Sequence, residues 1–234
     1  MSYMSDAQNF AASSKPDHPH SMGMIFQIAG SSSKVLIDAQ RLGILGQDAD
    51  PCVAMAGQVG SQVKMRVGGC WLIASVRTMA LDQATHSVIA DIDFLGEGDE
   101  ESATGRIHHF RRGVTRYPTP GTDIFPVSSA DMQQIYAADD RANVEIGTVY
   151  PTSETRAALY VDSMLGKHFA LLGSTGTGKS TSAALILHRI CDLSPQGHIV
   201  MIDPHGEYGA AFAQNGAVYD VSNLALPYWL MNFE

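Results

Sequence analysis

The chain has 234 residues, 45% of them hydrophobic and 17% charged, the balance of a folded protein of one or two domains rather than a disordered one. Its 15 basic and 24 acidic side chains leave a formal charge of −9, which argues against a protein that coats nucleic acid with its whole surface and leaves room for a local basic stripe. No run of about 18 apolar residues is present, no basic-then-apolar leader opens the chain, and Cys52, Cys70 and Cys191 fit neither a disulfide framework nor a zinc site, so we expect no membrane partner and a reducing, cytoplasmic setting.

In chain order, residues 1–21 read as a disordered tail, polar around Pro16 and Pro19 and without strand or helix period. His18 and His20 are too few ligands for a metal site. Residues 22–150 read as short strands punctuated by turns. Val63, Met65 and Val67 alternate with Lys64 and Arg66, and Gly68-Gly69 offers a tight turn into a strand over 70–76. Val88, Ala90, Ile92 and Phe94 face one side of another strand, with Asp91 and Asp93 on the other. Further strands are expected at 24–28, 35–37 and 144–149. This spacing predicts a small all-β barrel or sandwich. Glu97, Asp99, Glu100 and Glu101 crowd the stretch 96–105; a solvated hairpin loop is the simpler reading and a metal site the alternative. Nothing in this half suggests an active site.

From residue 151 on, the character becomes α/β. A connector at 157–165 leads to an apolar strand at 169–172, a glycine-rich loop, a helix over 181–190, a second apolar strand at 198–202 and a third at 217–220. The loop is Gly173, Ser174, Thr175, Gly176, Thr177, Gly178, Lys179 and Ser180, a full G-x-x-x-x-G-K-[ST] phosphate-loop signature between a strand and a helix. The glycines let successive N–H groups converge on a phosphate, and Lys179 supplies a mobile positive charge to the β- and γ-phosphates. The Ser180 hydroxyl is placed to ligate Mg2+, and the helix that opens beside Thr181 points its positive end at the anion. ATP and Mg2+ are the expected cofactors.

The second strand runs into Asp203-Pro204-His205-Gly206-Glu207-Tyr208. Ligands of open α/β sheets bind beyond the carboxyl ends of the strands. Asp203 is therefore expected in the metal's shell and Glu207 beside the attacking water, with Lys179 and Glu207 as the catalytic pair. Asp-Pro-x-Gly is equally a turn sequence, in which Asp203 caps its own backbone and Gly206 takes positive φ. After Thr181 too few strands remain for a whole sheet, and the apolar stretch 226–234, with Trp229 and Phe233, wants a partner surface. We expect the N-terminal piece of a longer protein.

Residues 165–180, 203–208 and 226–230 together resemble the HerA family of DNA-translocating ATPases. Upstream, Phe94-Leu95-Gly96 and the stretch 112–121 look like the small β-barrel that precedes the motor in that family, itself similar to the N-terminal barrels of rotary ATP synthase subunits. The resemblance implies a small all-β barrel at 22–150 and, at 151–234, an incomplete α/β P-loop NTPase (RecA-like) domain. It implies a homo-oligomer, a hexameric ring, that hydrolyses ATP and draws double-stranded DNA through its channel in DNA end processing or repair, often beside a NurA-type nuclease. By motif, Lys179 matches the phosphate-loop lysine and Ser180 the magnesium serine. The family's later Asp-Glu strand, sensor residue and arginine finger have no counterpart here. A type IV secretion or conjugation ATPase, and a nucleotide-binding assembly module without turnover, are the alternatives. Arg106, His108, His109, Arg111, Arg112 and Arg116 form the dense basic stretch of this acidic chain. They suit DNA phosphates, contacts with neighbouring barrels, or simple solvation.

Overall fold

The computed structural model describes residues 20–30, 32–82, 87–220 and 222–224. The tail as far as residue 19, His18 included, and the apolar stretch from 225 on, with Trp229 and Phe233, lie outside the described residues. The chain divides into two compact units. One runs up to Asp139 and takes back Gly147–Ala157; the other comprises Asp140–Ile146 and the chain from Ala158 onward.

The first unit is a closed antiparallel barrel. Its six strands are β1 (Gly23–Ala29), β2 (Ser32–Asp38), β3 (Gln62–Val67), β4 (Cys70–Asp82), β5 (Ser87–Glu100) and β7 (Asp123–Pro126). They pair in the cycle β1-β2-β5-β4-β3-β7 and back to β1. A seventh strand, β6 (Ile107–Arg112), pairs with β5 outside the ring. The alternation read in β3 puts Val63 and Met65 inside. Gly68 (φ +56°) and Gly69 (φ +82°) make the two-residue turn that sets Val67 opposite Cys70, a left-handed pair that matches the twist of the flanking strands. Every ring strand contributes to the interior: Ile25, Val35, Met65, Leu72, Ile92 and Ile124 are each fully buried.

The outer face of β4 is buried as well. Trp71 and Ile73 pack with Ile107, Met132 and Ile135, the last two from helix α3 (Ser129–Tyr136). That helix follows two short ones, α1 (Ala39–Leu45) and α2 (Pro51–Ala54). Ser128 opens α3 in a capping box with Asp131, and Asp131 also accepts from Lys64 Nζ at 2.6 Å. Trp71 donates from Nε1 to the Gly105 carbonyl at 2.9 Å and meets Phe125 edge-on.

The acidic stretch departs from its sequence reading. Glu97, Asp99 and Glu100 lie in β5 rather than in a solvated loop, and Glu97 is 1% exposed. Arg111 donates to its Oε1 from the guanidinium at 2.7 Å and 3.1 Å, and the Thr115 N–H donates to Oε2 at 3.0 Å. A carboxylate so satisfied tolerates burial. The Thr115 amide and the Arg111 guanidinium hold its pKa down at about 2. Among the described residues, no group of three His, Cys, Asp or Glu side chains is arranged to hold a metal.

Strands β8 (Asn143–Thr148) and β9 (Arg156–Tyr160) form a separate two-stranded sheet. The expected connector at 157–165 is thus the end of β9 followed by helix α4 (Val161–Leu165). In the second unit, Ile186 and Ile190, one turn apart on helix α5 (Lys179–Leu193), pack with Val144 and Val161. A short helix α6 (Gly209–Phe212) follows. The apolar runs 169–172, 198–202 and 217–220, expected as strands, are assigned to none. Leu172, Val200 and Ile202 are accordingly 90%, 92% and 87% exposed. The reason is physical: a strand exists through its ladder. An apolar run states that a segment suits a sheet, not that a neighbour is present.

Candidate functional site

The loop before α5 turns on two left-handed glycines, Gly176 at φ +83° and Gly178 at φ +85°, the latter the helix N-cap. Side chains with a Cβ are strained at such φ. No side chain caps the helix, and the N–H groups of Gly176, Gly178, Lys179 and Ser180 carry no hydrogen bond to a described residue. Orphan first-turn donors backed by the positive end of a helix form a seat for an anion. The loop folds back on one carbonyl: Lys179 Nζ and Thr177 Oγ1 each donate to Ser174 O at 2.7 Å. Gly173 is needed there for space, since a Cβ on it would lie 2.7 Å from Thr177 Oγ1.

The second loop is ordered by its own aspartate. Asp203 Oδ1 accepts from the Glu207 amide at 3.1 Å and Oδ2 from the Tyr208 amide at 2.9 Å. Gly206 closes the turn at φ +68°, its N–H reaching the Asp203 carbonyl at 3.3 Å. The Tyr208 amide foremost, with those of Glu207, Gly206 and His205, holds the Asp203 carboxyl below the usual carboxylate range. The Ser180 hydroxyl donates to Glu207 Oε2, so the two loops meet through these side chains.

Between the loops lies a cleft of about 740 Å3, the size of a small-molecule site. Thr175, Gly176, Gly178, Lys179, Ser180, Thr181, Asp203 and Glu207 all line it. Gly173, Ser174 and Thr177 belong to the same loop but not to that lining. In chemical terms the cleft offers converging N–H donors, one ammonium group, and a hydroxyl beside a carboxylate. The donors and the ammonium suit a polyphosphate, and the oxygen pair suits a hard divalent cation.

Residues 144–234 match the family model described as the central domain of helicase HerA. From residue 144 on, the chain is similar to the central domain of the HerA family. The DNA double-strand break repair helicase HerA of Pyrococcus furiosus is 33% identical over 147 residues, 59% of this chain and 25% of that protein. The probable DNA double-strand break repair helicase HerA of Methanocaldococcus jannaschii is 30% identical over 124 residues, covering 52% and 23%. The HerA helicase of Sulfolobus acidocaldarius is 32% identical over 92 residues, covering 39% and 17%. The chain therefore matches a quarter or less of the length of each of these relatives.

Phe169, Leu171, Tyr208 and His205 also line the cleft. The sequence reading gave the first two to a strand and the others to a turn. Only their position at the ends of the motifs hinted at more. In the barrel unit, the basic stretch is partly consumed by local contacts. Arg111 is held by Glu97, Arg116 donates to the Gly68 carbonyl at 3.1 Å, and His108 and His109 meet edge to face. Arg106 and Arg112 make no ion pair among the described residues. No helix among the described residues is long and apolar enough to cross a membrane.

Proposed function

We propose that this chain is the barrel and the first part of the motor of a HerA-type ATPase that translocates or unwinds duplex DNA during end processing or repair. In this reading the segment 151–234 is the opening of a RecA-like P-loop domain that binds ATP with Mg2+. It works in the cytoplasm as a homo-oligomeric ring, a hexamer, beside a NurA-type nuclease. The observation that carries it is the meeting of Ser180 and Glu207 at the mouth of a left-handed glycine loop with unpartnered amides. The names of the archaeal relatives, DNA double-strand break repair helicases, supply the DNA and the repair setting.

The amides of Gly176 to Ser180 would cradle the phosphates, and Lys179 would leave the Ser174 carbonyl to set its charge against the β- and γ-oxygens. Mg2+, held through Ser180, supplies charge neutralisation on the phosphoryl oxygens when bound. Glu207, released from the Ser180 hydroxyl, would face the metal's water shell and orient the attacking water by accepting its proton. A cleft with a single lysine leaves room for a cation from a neighbouring subunit. Turnover of Mg-ATP by the intact protein, with and without duplex DNA, tests the reading. Severalfold stimulation by DNA, lost in Lys179→Ala, is expected; turnover indifferent to DNA contradicts it.

A further inference from the structure

Two carboxylates sit in the 203–208 turn, and the geometry divides their work. We propose that Asp203 is a positioning residue that acts through Glu207, and that it is not itself a ligand of the metal. The inference rests on the reading of the cleft as a nucleotide and Mg2+ site and assigns the roles within it.

Both Asp203 oxygens are directed into their own loop, one to the Glu207 amide and one to the Tyr208 amide. Its backbone carbonyl takes the Gly206 amide, and Gly206 is left-handed. One residue thus accepts three N–H groups within five positions, which converts 203–208 from a free loop into a fixed hook. The tip of that hook is Glu207, whose carboxylate accepts from the Ser180 hydroxyl. Asp203 has no such contact with the phosphate loop among the described residues. Carboxylates committed to backbone N–H groups orient a site from behind, as the partners of metal ligands do. An Asp that served as ligand instead would have to turn away from two amides and leave them unpaired.

A double-mutant cycle on the full chain separates the roles. Affinity for ATPγS is measured by calorimetry with Mg2+ and with EDTA in wild type, Asp203→Ala, Glu207→Ala and the double variant, with Ser180→Ala as the marker of lost metal binding. Positioning predicts that Asp203→Ala and Glu207→Ala reduce the Mg2+-dependent gain in affinity by the same factor, within twofold, and that the double variant is no worse than either. Factors that multiply in the double variant identify Asp203 as an independent ligand and overturn the proposal.

Amide exchange supplies a readout without nucleotide. Asp203→Ala should speed exchange at Glu207 and Tyr208 at least tenfold, and Asp203→Asn, which keeps one acceptor oxygen, should restore protection at one of them. Unchanged exchange at both overturns the proposal. A wild-type chain that binds no ATPγS under either condition overturns the nucleotide-site reading instead, and the exchange result still decides whether Asp203 builds the hook.

Discussion

In the barrel unit, six strands pair in a closed cycle, and Leu72 and Ile73 on adjacent positions of β4 are both fully buried, one inside the ring and one beneath α3. In the second unit, the apolar runs at 169–172 and 198–202 meet no ladder, and Leu172 stands 90% exposed. The same residue type therefore does different work in the two regions. The barrel places Leu72 against neighbours and the buried Glu97 carboxylate against an arginine. The second unit leaves amides, an ammonium group and a hydroxyl facing a cleft, the arrangement expected where binding rather than stability shapes a segment.

The largest effect that sharpens this contrast comes from one substitution made in both regions. Leu72→Ala should destabilise the barrel by about 3 kcal/mol, the transfer and cavity cost of a fully buried leucine, read by urea melts followed through Trp71. Leu172→Ala should change the chain's stability by no more than about 0.5 kcal/mol. A comparable loss at both positions would show that the run 169–172 is packed in solution and would break the contrast.

Glu97 comes next. Replacing it with Ala removes the charged acceptor of the Arg111 guanidinium and the Thr115 amide, a cost of about 2 kcal/mol. Its pH signature follows from the sign of its shift. The folded carboxyl titrates at about 2 and the unfolded one near 4.5, so between those values the unfolded chain binds more protons. Its contribution is fully present above pH 4.5 and is lost as the pH falls toward 2. Acid titration of barrel stability should show that decline in wild type and a flatter profile in Glu97→Gln. Equal profiles would remove the buried pair from the account.

In the other region, Ser180→Ala should weaken nucleotide binding about tenfold with Mg2+ present, roughly 1.4 kcal/mol, and leave binding in EDTA unchanged. A loss of the same size in both conditions would make Ser180 a phosphate contact and not a metal one. The smallest effect is expected at the barrel's tight turn. Gly69→Ala places a Cβ at φ +82° and should cost about 1 kcal/mol, measured by the same melts. No change would mean the turn adopts another conformation in solution.

How much of this was legible varies with the range of the forces involved. The Gly68-Gly69 hairpin and the alternation of β3 are local, and both stand in the fold as read. The S-x-x-D box at Ser128 and Asp131 was equally local and announced α3, yet the surrounding polar residues masked it. β6 escaped because the bulge at His109 (φ +48°) breaks its alternation and its charges mimic a basic patch. The burial of Glu97 depends on Arg111, fourteen residues away and on another strand, which no period along the chain reveals. The glycine loop and the start of α5 were readable because motif and geometry share one cause, the need for left-handed glycines beside a helix start. The hook built by Asp203 was half-readable: its turn chemistry was plain, while its reach to Ser180 through Glu207 joins residues 27 positions apart.

The central claim is that this loop seats a nucleotide's phosphates, and calorimetric titration of the chain with Mg-ATP tests it most directly. Wild type should saturate one site per chain, and Lys179→Ala should bind about a hundredfold more weakly, as expected when the one ammonium facing the phosphates is removed. Equal binding by both proteins, or none by wild type, would contradict the claim.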